Sequence, residues 1–89
     1  DDPDDAFLRY GLAMEHAGQG DDETAAGVLR DLLARSPYVP AFHMLGQALG
    51  RLGRDSEAVE VLRTGVTAAT KAGDLHAAGE MQGLLSTLE

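Results

Sequence analysis

A cassette occurs twice in this chain, and that repetition restricts the fold more than any other feature. Ala6 and Phe7, followed by Gly11, Ala13, Met14, Ala17 and Gly18, return 35 residues later as Ala41 and Phe42, followed by Gly46, Ala48, Leu49, Leu52 and Gly53. Downstream of each, Ala25, Val28, Leu29 and Arg30 reappear as Ala58, Val61, Leu62 and Arg63 after a shift of 33. A unit of this length cannot bury its apolar face alone and gains a core by stacking on its copy. Each unit reads as two short helices joined by a glycine turn.

The chain of 89 residues is expected to form one domain over residues 1–89, near the size where burial only just offsets lost conformational entropy. It is 44% hydrophobic but only 4% aromatic, so Ala, Leu, Val and Met must fill the core, which suits closely packed helices and not a β-sandwich. Cysteine is absent, which removes disulfides and thiolate metal sites and agrees with a reducing compartment. The net charge is −8, with acid concentrated in Asp1, Asp2, Asp4 and Asp5 and again in Asp21, Asp22 and Glu23. Such a surface repels phosphate backbones and anionic lipid, so nucleic acid and membrane are not expected partners. No apolar run approaches the ~20 residues of a membrane helix, and no basic, then apolar, leader opens the sequence. The expectation is a cytoplasmic protein, or a portion of a longer one whose other parts carry the activity.

Helix boundaries are well marked. Asp2 is placed to cap a first helix with Pro3 at its first position, and Gly18 or Gly20 ends it. A second helix starts at Asp21 to Thr24 and runs to about Arg35, where Ser36 and Pro37 break the pattern. Pro40 reopens helix in its first turn, and Gly53 closes it. Asp55 is expected to cap the fourth helix, which ends near Ala72 before Gly73. Asp74 caps a fifth, from Leu75 to about Leu88.

Apolar residues keep helical spacing throughout. Phe7, Tyr10, Gly11, Met14 and Ala17 form one stripe, matched by Phe42, Leu45, Gly46, Leu49 and Leu52. Ala25, Val28, Leu29, Leu32 and Leu33 are matched by Ala58, Val61, Leu62 and the Gly65-Val66 pair. Ala78, Met81, Leu85 and Leu88 give the fifth helix a single apolar face, as a cap over the open end of a stack requires. Gly11 and Gly46 sit inside helices, where Gly costs about 1 kcal/mol relative to Ala. Both are expected to be offset by close contact with a neighbouring helix.

These residues resemble the tetratricopeptide repeat family, and more broadly small bacterial proteins of two repeats and a C-terminal capping helix. Phe7, Tyr10, Gly11, Met14, Ala25, Leu29, Leu32 and Pro37 carry the pattern in the first unit; Phe42, Leu45, Gly46, Leu49, Ala58, Leu62 and Gly65 carry it in the second. The resemblance implies an all-α superhelix of five helices, with repeat one at about 3–37, repeat two at about 39–73 and the cap at about 74–88. It departs from the pattern in three places. Two extra residues fall between Gly18 and Asp22, one is missing between Pro37 and Pro40, and Thr70 stands where a closing proline belongs.

The family resemblance further implies a protein or peptide partner held in a concave face lined by the first helix of each hairpin. The transferred register puts Leu8, Arg9, Leu12 and His16 on that face from the first helix, and His43, Met44, Gln47 and Arg51 from the third. The Lys and Asn residues with which some subfamilies grip a C-terminal carboxylate are replaced by Leu8, Leu12, His43 and Gln47, so no such ligand is expected. Leu8 and Leu12 read as a hydrophobic anchor or as core; Arg9 and Arg51 serve an acidic ligand group or, more commonly on so acidic a surface, intramolecular ion pairs. His43 offers a donor to a peptide carbonyl. An enzyme is not expected, nor a cofactor or metal: the histidines are dispersed, and His76 with Glu80 supplies two ligands and no third. The alternative to an adaptor is a homo-oligomerisation module that buries its apolar face against a second copy, giving a homodimer.

Overall fold

The computed structural model describes residues 3–89, and among them it contains helices and no strand. The helices are α1 (Pro3–Gly18), α2 (Asp22–Leu33), α3 (Val39–Arg51), α4 (Asp55–Lys71) and α5 (Leu75–Leu88). The cap expected from Asp2 lies outside the described residues. The other boundaries fall within two residues of expectation, with one change of role. Asp21 and Asp74 act as N-caps, their Oδ1 atoms accepting from the Thr24 and Ala77 backbone N–H groups at 3.1 Å. Asp55 does not cap α4: Arg54 holds the N-cap position without a side-chain bond to the helix, and Asp55 begins the helix.

The reason is a single turn used three times. Gly20, Gly53 and Gly73 have φ near +80°, the left-handed region in which a Cβ is strained. After each glycine, the next N–H closes a bond across the turn: Asp21 to the His16 carbonyl, Arg54 to the Leu49 carbonyl, Asp74 to the Ala69 carbonyl. The residue following the glycine is therefore the cap whatever its identity. This also corrects the location of the two extra residues. The turn after α1 is no longer than the others; the surplus is in α1 itself, 16 residues long against 13 for α3. Aligned on their turns, the two hairpins match at 33 residues, from Gly18 and Arg51 at the ends of α1 and α3 to Asp22 and Asp55 at the starts of α2 and α4.

Packing follows from that alignment. α1, α3 and α5 form one layer in which α1 touches α3 and α3 touches α5. α2 and α4 form the other layer, each packed on its flanking layer helices and linked to the other by the Arg30–Glu57 ion pair at 2.6 Å. The first layer is thus the inner, tighter curve, and the slab measures 30 × 30 × 18 Å. Leu29, Leu32, Leu45, Leu49, Leu62 and Met81 are fully buried at the layer junction. A first core, with Ala26, Leu29 and Leu32 of α2 against Ala41, Leu45 and Leu49 of α3, joins the hairpins; a second, around Phe42, Leu62, Ala69, Ala78 and Met81, seats α5.

Close approach occurs at two glycines. A Cβ on Gly46 would lie 2.5 Å from Leu62, and one on Gly65 would lie 2.6 Å from both the Phe42 Cβ and the Met81 sulfur. The expectation for Gly46 holds. That for Gly11 is corrected, because no described atom of another helix comes within 4 Å of a Cβ built there. The apolar stripe expected on α1 changes as well. Ala6 and Ala13 are its buried residues, whereas Phe7 is 63% and Met14 49% exposed. In the 33-residue alignment Ala13, not Gly11, matches Gly46, and it is fully buried against α2 as a small residue at a helix crossing must be.

Candidate functional site

The inner layer encloses a cavity of about 290 Å³ to which all three of its helices contribute. Tyr10 comes from α1, His43, Met44 and Gln47 from α3, and His76 and Glu80 from α5. The α3 residues follow at intervals of one, three and four, so they share one helix face and point away from both neighbouring outer helices. The α5 residues are four apart and His76 Nε2 lies 3.6 Å from Glu80 Oε1. The Tyr10 ring packs at a tilt on Tyr38 with 5.5 Å between centroids, an arrangement that fixes the phenol at the rim. Partial burial, and secondarily Tyr38, raise the Tyr10 pKa above 10.0, so its hydroxyl stays a donor at neutral pH.

The walls combine apolar area from Met44 and the tyrosine ring with donors and acceptors from two imidazoles, an amide, a phenol and a carboxylate. Among the described residues neither His43 nor Gln47 has a side-chain hydrogen bond within the protein, so both present their polar atoms outward. No group of three His, Asp or Glu side chains among the described residues converges closely enough to hold a metal ion. The lining offers hydrogen-bond donors and acceptors beside one flexible apolar side chain, Met44.

The expected inner-face residues divide. His43, Met44 and Gln47 line the cavity together. Arg51 turns to α2, where its Nε and Nη2 donate to Asp22 at 3.0 and 2.9 Å. This two-pronged bond holds the Asp22 carboxyl below its ordinary pKa. Arg9 is likewise engaged, donating to Asp5 at 3.1 Å and to Asp31 at 3.2 Å. His16 Nδ1 stands 4.0 Å from Asp21. Leu8 and Leu12 are 68% and 48% exposed. Each is two residues from Tyr10, a rotation of about 200° along a helix, so they leave α1 almost opposite the cavity.

Three residues of the cavity were not expected there. The 35-residue cassette match equates Tyr10 with buried Leu45, whereas the turn alignment equates it with His43. His76 and Glu80 lie on a helix read only as a cover. The signal for them is in the sequence, since Gly73 and Asp74 repeat the turn of Gly20 and Asp21, which makes α5 the third helix of the inner layer.

A stack of helical hairpins with a lined inner curve defines a class of proteins that present a concave face to other polypeptides. Residues 5–37 match the family model of the tetratricopeptide repeat. The whole chain is similar to the solution NMR structure of a tetratricopeptide repeat domain protein from Salinibacter ruber, with a TM-score of 0.89, 29% identity, and coverage of 100% of this chain and 91% of that one. A crystal structure of a tetratricopeptide repeat domain protein from the same organism gives 0.87 and 26%, over 93% and 94% of the two chains. The solution structure of a protein from Bordetella parapertussis gives 0.84 and 28%, over 93% of this chain and 73% of that one. No curated protein matches the chain. The protein has the tetratricopeptide repeat fold, with its first hairpin as a recognised repeat.

Proposed function

We propose that this protein is a non-enzymatic adaptor that binds an extended peptide or a partner helix in its inner curve, against Tyr10, His43, Met44, Gln47, His76 and Glu80. The observation that carries this reading is that His43 and Gln47, which make no side-chain hydrogen bond among the described residues, face a cavity shared by three helices. Their polar atoms are available to a ligand. Met44 supplies an adaptable apolar contact, and the imidazoles and amide reach backbone carbonyls and N–H groups of the ligand.

Selection of a displayed random-peptide library against the immobilised protein tests the proposal. Enriched peptides are expected to bind His43→Ala and Gln47→Ala at least tenfold more weakly, while the far-UV circular dichroism and melting temperature of both variants stay near the parent. Peptides that bind both variants with parental affinity would show that the inner curve is not the receptor.

A further inference from the structure

Four of the five large apolar side chains that the described chain exposes are on one helix: Phe7, Leu8, Leu12 and Met14 of α1. They surround Gly11, which is four residues from Phe7, three from Leu8 and Met14, and adjacent to Leu12. At about 100° per residue Gly11 lies in the furrow between a Phe7–Met14 ridge and a Leu8–Leu12 ridge. Gly11 lowers the helix propensity of α1 and nothing in the fold rewards it, since the space over it is open. Gly27, Gly79 and Gly83 are open too. Gly27 has polar neighbours one turn away, and Gly79 has a single exposed apolar neighbour, Leu75.

The molecule shows twice what such a furrow receives. Leu62 seats on Gly46, and Phe42 seats on Gly65, each where one helix crosses another. The turn alignment adds a second observation. Leu8 and Leu12 match Ala41 and Leu45, which α2 covers with Ala26, Leu29 and Leu32. On α1 the matching flank has no helix over it. The α2–α3 interface thus has an uncovered equivalent one hairpin upstream.

Charge indicates what covers it. Every arginine, at 9, 30, 35, 51, 54 and 63, is engaged in an ion pair within the protein. The chain carries a net charge of −8, and Glu15 stands on the exposed face, three residues from Leu12, with no ion pair among the described residues. A second copy would bring Glu15 against an equally acidic surface, which disfavours self-association there. We infer that the Leu8, Gly11 and Leu12 flank of α1, on the side of the helix away from Tyr10, is a second docking surface distinct from the inner curve, and that its occupant is a basic amphipathic helix whose leucine ridge seats over Gly11 while a Lys or Arg meets Glu15.

The test uses a synthetic amidated peptide of about 18 residues, five helical turns, with Leu and Ala on one face and Lys elsewhere. Titrated into the ¹⁵N-labelled protein, it is expected to shift amides of α1 and to leave His43 and Gln47 amides in place. Gly11→Leu and Leu12→Asp should each weaken binding at least tenfold without lowering the melting temperature, and a peptide with Glu in place of Lys should bind at least tenfold more weakly at low salt. Absence of binding, shifts confined to the inner curve, parental affinity of Gly11→Leu, or equal affinity for the Glu peptide would overturn the inference. So would sedimentation showing that the protein alone forms a dimer which Leu12→Asp dissolves.

Discussion

The first helix of each hairpin has nearly the same apolar spelling but a different set of neighbours. α3 lies between α2 and α4 and also touches α1 and α5, so Ala41, Phe42, Leu45, Gly46, Ala48 and Leu49 are all buried. α1 has α2 on one flank and the edge of α3 on another, and among its described side chains only Ala6 and Ala13 are buried. A glycine that is required in α3 has no structural task in α1. What the contrast teaches is that a repeat motif specifies a helix with two sticky flanks; whether the second flank is core or surface depends on position in the stack.

The largest effect is expected where α3 and α4 cross. Leu62→Ala removes the side chain that fills the space over Gly46 and should cost about 2–5 kcal/mol, read as a fall in the urea midpoint at constant m. Next in size is a reversal of sign between matched cassettes. Gly46→Ala and Gly65→Ala should each destabilise by about 1–3 kcal/mol through overpacking, whereas Gly11→Ala should stabilise by up to about 1 kcal/mol through helix propensity. Combining Gly46→Ala with Leu62→Ala should cost less than the two separately, because truncation of Leu62 makes the room that the new methyl needs. If thermal melts show Gly11→Ala and Gly46→Ala moving in the same direction, the two helices pack alike and the contrast fails.

Smaller effects belong to the ties between hairpins. Asp74→Ala removes the α5 cap and should cost about 1 kcal/mol. Asp22→Asn breaks the paired bond to Arg51, which is half exposed, so a stability loss of at most about 1 kcal/mol is expected from the urea midpoint. The pH dependence has a definite sign. The Arg51 guanidinium lowers the Asp22 carboxyl below 3.8 in the folded protein, so the pair's stabilisation is complete above that value and disappears as the pH falls through 3.8 towards the folded pKa. A carboxyl-carbon NMR titration of Asp22 that reaches its midpoint at or above 3.8 would contradict this. Smallest of all is Arg54→Ala, which loses an exposed pair with Glu23 at 2.9 Å but removes a cation from the positive end of α4, leaving a change of a few tenths of a kcal/mol.

Legibility followed the range of the forces involved. The cap at Asp74, the helix start at Asp21 to Thr24 and the stops at Gly53 and Gly73 are readable because a cap or a left-handed turn is satisfied within four residues. Gly46 was readable because its whole cassette is enclosed. Tyr10 is absent from the expected inner face, and Leu8 and Leu12 are on it, for one shared reason: the cassette in α1 matches α3 at 35 residues while the turns match at 33. Two residues along a helix are about 200° around it, so the choice of alignment exchanges one face for its opposite. His76 and Glu80 are absent because α5 reads as a cover and not as a third inner helix.

The sequence by itself determined five helices, their ends, their pairing into hairpins and the small-residue chemistry of the crossings, since propensity, capping and spacing act locally. Only the tertiary structure decided which flank of α1 meets the core, that α5 contributes a wall to the inner curve, and that every arginine is engaged at home. Those outcomes depend on which neighbour is present at each flank, and no helix carries that information in its own residues.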